Sequence, residues 1–330
     1  MNQDSPEAIL GLARNFMECR ILLTGAELNL FTLLTRVPLS AKEVASRTGA
    51  NLRALTILLD ALSAMGLLVK ERDTYQCAPL SSPFLSSDSA RTVLPMVLHM
   101  AHLWERWCAL TRIVKALGAA GEPAVPSRKT DEQQAFIEAM HVIGAPLAPR
   151  VVAAVNPGSS RALLDVGGGS GTYTLAFLRA QPEMKATLFD RPQVVEIARR
   201  RLDEAGVMDR VSLIAGDFSQ DELPGGHDLA FVSAIIHQNS PEQNLDLFAK
   251  LFRALVPGGR IVIRDHVMTS DRTHPKDGAI FAVNMLVGTT GGNTYTYEDI
   301  RDSLTKAGFI RVRLLQSGEH MDGLVEGFRP

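Results

Sequence analysis

The 330-residue chain has little cysteine, little net charge and no long apolar run. Its three cysteines, Cys19, Cys77 and Cys108, are odd in number, far apart and without a C-x-x-C pair. That excludes a disulfide scaffold and reads as reduced thiols in a cytoplasmic protein. The formal charge of -2 provides no global basic field to draw the chain to nucleic acid or to an anionic membrane. No apolar stretch is read as approaching the ~18 residues of a membrane helix, and MNQDSPEAIL lacks the basic-then-apolar order of a signal peptide. No internal repeat or low-complexity tract interrupts the chain. What remains, 46% hydrophobic and 21% charged residues, is ordinary globular composition at a length suited to two domains.

Two textures follow one another. Up to about residue 110, helical patterns alternate with short punctuation. From about 160, short β-rich runs alternate with helices. Between them, GAAGEPAVPSRKTDE (118–132) reads as a surface loop and 133–154 as a connecting helix. In the first half, Ser40 and Glu43 form a capping box, and the helix they open ends near Gly49. Asn51 caps a second helix with Leu55, Leu58, Leu59, Leu62 and Met65 at helical spacing, and Gly66 stops it. LLVKERDTYQC then reads as two short extended runs around a polar turn. Helix, helix, hairpin is a winged-helix order. DNA reading is disfavoured, because residues 1–90 hold eight Lys/Arg against nine Asp/Glu. The apolar face of ARNFMECRILLTGAELNLFTLL suits an intersubunit helix pair instead, although a purely internal core fits the pattern too.

In the second half, the run Ala162–Val166 leads into Gly167, Gly168, Gly169, Ser170 and Gly171 and then a helix. Strand, glycine loop, helix places a ligand at the carboxyl end of a parallel strand. Thr172 stands where a dinucleotide loop has its last glycine, and no GxxxxGK[ST] phosphate loop is present. The run 184–190 reads as a second strand ending in Asp190, placed for ribose hydroxyls; capping the helix after Pro192 is the other reading. A third strand, 211–218, ends in Asp217 and Phe218, suited to an adenine amine and ring. DLAFVSAII (228–236) reads as strand four, and Ser240, Pro241 and Gln243 open the next helix. Capping therefore does not explain His237, which lies between them on the ligand face of the sheet.

LLDVGGGSG, the acidic FDRP tip, the GDF turn and PGGRIVIRD (257–265) resemble the successive motifs of class I S-adenosylmethionine-dependent methyltransferases. More narrowly, nearly the whole chain is similar to two-domain O-methyltransferases of the caffeate, hydroxyindole and bacterial secondary-metabolite type. The resemblance implies an α/β fold: a Rossmann-like doubly wound sheet behind an N-terminal, mainly α, winged-helix dimerisation domain. The expected divisions are 1–110, a connecting 111–154, and a donor-binding 155–330. It implies S-adenosylmethionine as cofactor, held by Asp165, Gly167, Gly169, Gly171, Asp190, Asp217, Phe218 and Ser233. It makes His237 the base that takes the acceptor proton, with Asp265 orienting it where the family carries glutamate. Gln238 and Thr294 stand where family members carry further acids.

The resemblance also draws an acceptor pocket from three segments: Met96, His99 and Trp107; Phe136 and Met140; Phe281, Asn284 and Met285, beside a flexible Gly291-Gly292. Soft methionines suit flat aromatic ligands. His99, His102 and Glu105 step by three round a helix of about 3.6 residues per turn, so they converge poorly on a metal, and none is expected. The chain is thus expected to be a cytoplasmic homodimer that methylates a small aromatic, enolic or quinol-like hydroxyl. A family member acting on carbon, nitrogen or sulfur, or doing non-methyl chemistry, is the alternative. A ligand-responsive winged-helix regulator is the alternative of another class.

Overall fold

The structure, a computed structural model, describes residues 5–116 and 130–330, with side chains from 135 onward in the second stretch. The expected loop at 118–132 lies outside the described residues except for its last three, which are helical. The chain divides into two compact units, Met1–Trp104 with Thr130–Ile143, and Glu105–Lys129 with Gly144–Pro330.

The first unit opens with α1 (Pro6–Glu27), capped by Ser5 with Pro6 as its first residue, and α2 (Leu30–Arg36). β1 (Leu39–Ser40) and α3 (Ala41–Thr48) follow, with the Ser40–Glu43 capping box formed in both directions. Then come α4 (Leu52–Ala64), β2 (Leu68–Glu71) and β3 (Thr74–Cys77). The expected helix–helix–hairpin is present, and β1 adds an unforeseen third strand in the order β1-β3-β2. Leu55, Leu59 and Leu62 on α4 pack with Phe31, Leu34, Val44 and Tyr75. Beyond α5 (Ser82–Leu85) lie α6 (Leu94–Cys108), α7 (Leu110–Ala116) and α8 (Thr130–Val155). Within α8, Ala135–Val155 has a mean hydropathy of 1.2 and the length to cross a membrane, which corrects the reading that no such stretch exists. Gly144, Pro146 and Pro149 break that window's look of a single apolar run. Ala148, Val151, Val152 and Val155 are instead buried in the second unit's core.

That unit runs β4 (Ala162–Val166), α9 (Thr172–Ala180), β5 (Lys185–Asp190), α10 (Pro192–Glu204), β6 (Val211–Ala215), β7 (His227–Ser233), α11 (Pro241–Ala254), β8 (Leu255–Asp265), β9 (Val267–Met268), α12 (Lys276–Gly288), β10 (Tyr295–Thr296), α13 (Tyr297–Lys306), β11 (Ile310–Gln316) and β12 (Gly323–Phe328). The seven-stranded sheet has the order β11-β12-β8-β7-β4-β5-β6. Pairs from β6 through β8 are parallel, and β12 is antiparallel to both its neighbours. Strand side chains alternate between faces. Leu163, Phe231 and Val262 enter the core with α8, α9 and α10, while Leu164, Val232, Ile261 and Ile263 enter the core with α11 and α13. The strand order reverses between β4 and β7, and the crevice at the carboxyl ends there is where such sheets bind ligands.

Candidate active site

The glycine loop leaves β4 at that switch point. Gly167, Gly169 and Gly171 all take positive φ, 67°, 57° and 75°, which glycine adopts without steric cost. Their surroundings differ. A Cβ on Gly167 would lie 2.3 Å from Cδ1 of Ile235, and one on Gly171 would press on Leu202 at 3.1 Å, whereas one on Gly169 would meet nothing within 4 Å. The space in front of Gly169 is open to a ligand.

Carboxylates line this loop. Thr174 Oγ1 donates to Asp165 Oδ2 at 2.6 Å, and burial pushes the Asp165 carboxyl up to about 6. Asp190 accepts the N–H of Gly169 at 2.8 Å and that of Arg191 at 2.7 Å, and burial raises its pKa too. It does not cap α10; Arg191 holds the cap position. Asp217 Oδ1 accepts both the backbone N–H and the hydroxyl of Ser219, and that hydroxyl holds its pKa down. The Phe218 ring packs on the α11 side of the core, and its carbonyl accepts from the buried Lys250 ammonium at 2.9 Å. Ser233 Oγ accepts from Arg264 Nη1 at 3.1 Å. Lys250, Thr174, Tyr173 and Arg264 were not singled out from sequence. For Arg264 the signal was there: a cation inside the apolar run RIVIRD is costly unless something answers it.

The strand before His237 is shorter than its apolar run. β7 stops at Ser233 because Ala234 takes a left-handed φ of 57°, and Ile236–Gln238 forms a 3-10 turn. Ser240 then caps α11, with Pro241 first and Gln243 completing the box, as the sequence indicates. His237 is 8% exposed. Its Nδ1 lies 2.9 Å from both carboxylate oxygens of Asp265, and Oδ1 also accepts the N–H of His266. The Phe281 ring meets the imidazole edge-on with centroids 4.8 Å apart. Asn293 N–H donates to the His237 carbonyl at 2.8 Å. Gly292 is a close-approach glycine rather than a flexible one, since a Cβ there would lie 2.5 Å from that carbonyl. Gln238 is exposed and Thr294 is buried, so neither brings a carboxylate to the histidine.

The acceptor candidates fall in both units. In the first, the His99 ring of α6 and the Phe136 ring of α8 lie 5.0 Å apart; Met96 and Met140 share these helices. In the second, Trp107 Nε1 donates to Asn284 Oδ1 at 3.0 Å, Phe281 meets His237, and Met285 is buried in α12. Among the described residues, no three His, Cys, Asp or Glu side chains are grouped to hold a metal.

A doubly wound sheet with this strand order, an open glycine loop flanked by carboxylates and a His–Asp pair one strand away define a class I methyltransferase. Comparison with known proteins narrows the class. Residues 113–310 match the O-methyltransferase domain and residues 10–87 the O-methyltransferase dimerisation domain. The 3-hydroxy-5-methyl-1-naphthoate 3-O-methyltransferase of Streptomyces sahachiroi is 30% identical over 98% of this chain and 95% of its own. The tetracenomycin polyketide synthesis 8-O-methyl transferase of Streptomyces glaucescens is 30% identical over 93% and 92%. The crystal structure of human N-acetylserotonin methyltransferase in complex with S-adenosylmethionine superposes with a TM-score of 0.83 at 25% identity, covering 100% of this chain and 99% of that one. The chain belongs to the S-adenosylmethionine-dependent O-methyltransferase family.

The site's chemistry fits that cofactor. Its polar groups include the buried carboxylate of Asp165 and the partly buried one of Asp190, whose charged forms are disfavoured by desolvation and favoured by a neighbouring cation. A sulfonium- and ammonium-bearing donor suits such a lining better than a pyrophosphate does.

Proposed function

We propose that this chain methylates a hydroxyl of a small aromatic, enolic or quinol-like acceptor, with His237 as the general base. The observation that carries the reading is the 2.9 Å contact of Nδ1 with both oxygens of a nearly solvent-free Asp265. Nδ1–H donating to Asp265 fixes the tautomer and leaves the lone pair on Nε2, which makes no hydrogen bond among the described residues. Bound S-adenosylmethionine supplies an electrophilic methyl group. Asp165, Gly167, Gly169, Gly171, Asp190, Asp217, Phe218 and Ser233 form its seat, with Asp190 organising the loop through the Gly169 N–H while its remaining lone pairs face ribose. In the second unit Trp107, Phe281, Asn284 and Met285 are the acceptor-contacting candidates, with Trp107 holding the Asn284 amide in one orientation; in the first unit the candidates are Met96, His99, Phe136 and Met140.

Moving a proton from a phenol of pKa about 10 to a histidine of about 6.5 is uphill by roughly 5 kcal/mol. One carboxylate, that of Asp265, faces the imidazole, where the family resemblance leads one to expect several. Alignment of acceptor and donor, worth effective molarities of about 10⁵ M or more, outweighs the roughly 10²–10⁴-fold of a general base. The arrangement therefore favours acceptors more acidic than a simple phenol. We further propose a homodimer through the first unit, supported by large apolar side chains exposed along α1, among them Ile9, Leu12 and Phe16. A cytoplasmic setting is supported by three free cysteines.

The test is methyl transfer from labelled S-adenosylmethionine to a panel of phenols, naphthols, enols and quinols, with wild type and His237→Ala side by side. Product from wild type, reduced at least about 100-fold in the variant, is the expected result. Equal labelling by both would remove the base assignment, and absence of cofactor binding would remove the reading itself.

A further inference from the structure

Arg264 directly precedes Asp265 on β8. It pairs with Ser233 across β8 and β7 and is 6% exposed. Its Nη1 reaches the Ser233 hydroxyl, and its guanidinium lies over the Tyr173 ring, 5.2 Å from the centroid. Its Nε is buried without a partner, as is the Tyr173 hydroxyl. On the surface, Arg36 grips Asp88 and Arg253 grips Glu222 with two nitrogens each; Arg264 grips no carboxylate among the described residues. Arginine stays charged and carries five donors, and a buried charge left unanswered is costly to a fold.

Strand alternation decides which ligand would answer it. Arg264 and Ser233 project to the side of the sheet that carries Asp165 and α9, while Asp265, the next residue on β8, projects to the other. Tyr173 is the second residue of α9, directly after the glycine loop. Burial pushes its phenol up, and both Arg264 and Asp165 act on it, with opposite sign. A buried cation and a buried carboxylate thus flank one unpartnered hydroxyl without pairing to each other. That pattern is complementary to a ligand end carrying both charges.

We propose that Arg264, with the hydroxyls of Tyr173 and Ser233, receives the α-carboxylate of the donor's amino-acid end, so that the site reads this end as a zwitterion. The inference rests on S-adenosylmethionine being the donor. Arg264 is then a specificity-determining residue, distinguishing the donor from adenosine derivatives that lack the carboxylate.

The experiment is calorimetric binding of S-adenosylhomocysteine and of its decarboxylated analogue to wild type, Arg264→Met and Tyr173→Phe. Wild type should prefer the carboxylated ligand by about 10- to 100-fold, the scale of a hydrogen bond to a charged group. Arg264→Met should bind the decarboxylated analogue as wild type does and lose the preference. Tyr173→Phe should lose part of it. Melting of the ligand-free proteins separates a structural role: removing an unanswered charge should leave the Arg264→Met midpoint equal or higher. A lower midpoint with equal loss of both ligands would overturn the proposal. So would a preference that survives in Arg264→Met, including the case where only the KM of a carboxylated acceptor rises. Failure of wild type to bind S-adenosylhomocysteine at all would instead fell the donor reading, and this inference with it.

Discussion

Asp265 presents both of its carboxylate oxygens to one nitrogen of His237, each at 2.9 Å, and spends one of them again on the N–H of His266. The acid is thereby fixed from the backbone side and the imidazole from the acid side. His237→Ala should lower the single-turnover rate by about 10²–10⁴-fold while leaving donor affinity unchanged. The loss should grow with the pKa of the acceptor, because only a poor acid needs the base. Asp265→Asn, which offers a donor to Nδ1, should cost nearly as much, and Asp265→Glu less. A wild-type rate in Asp265→Asn would show that the acid does not set the tautomer.

Asp165 gives a pH signature. Its folded pKa, about 6, lies above the ordinary 3.8, so the protonated form is the one the fold favours. The stability contributed is full below pH 3.8 and is lost as pH rises through 6. Above that the buried charge costs about 3 kcal/mol, roughly two pKa units. Asp165→Asn cannot ionise and keeps an acceptor for Thr174. Its melting point relative to wild type should therefore be higher at pH 8 than at pH 5. Donor affinity of wild type should weaken below pH 6. A difference flat with pH would show that Asp165 is not paying for its charge.

The loop glycines should separate folding from binding. Gly167→Ala adds a left-handed alanine and a 2.3 Å clash with Ile235, together about 2–4 kcal/mol. Gly169→Ala adds only the left-handed term, about 1–2 kcal/mol, but its methyl enters the open space. Thermal melts should single out the first variant, and donor titrations should show at least a tenfold loss in the second.

Much of this was legible because it is local. The capping boxes at Ser40 and Ser240 need only four residues each, and both formed as read. β4 matches its apolar run end to end, and His237 stood out because Ser240 already explained the helix start. The rest depends on partners distant in sequence. Nothing in SAII announces a left-handed Ala234, so the apolar run extends three residues beyond the strand it feeds. Asp217 looked free for a ligand, yet one of its oxygens is used within its own turn. Arg264 read as part of a strand because its ring partner is 91 positions away and its unanswered nitrogen is invisible until packing is known.

Gly292 should act on the base without touching the donor. A methyl there would lie 2.5 Å from the His237 carbonyl and from Thr289 Oγ1. Gly292→Ala should therefore lower kcat by an order of magnitude or more, with donor affinity kept. Loss of both together would indicate general unfolding, which circular dichroism would register.

The apolar face of α1 should set the oligomeric state. Leu12 is 71% exposed and Phe16 54%, and burying each against a partner is worth about 1.5–3 kcal/mol. Leu12→Glu with Phe16→Glu should halve the mass seen by light scattering. An unchanged mass would remove α1 from the interface.

The kink at Ala234 has a wider meaning. The same turn that swings His237 into place lays Ile235 against Gly167, where no side chain fits. The residue that packs under the glycine loop and the turn that carries the proposed base are therefore one piece of backbone, so a change in one is felt by the other. Of the helices that carry acceptor candidates, α12 touches this piece of backbone, through the Phe281 ring against His237, so a change at Phe281 would reach the imidazole as well as the acceptor side.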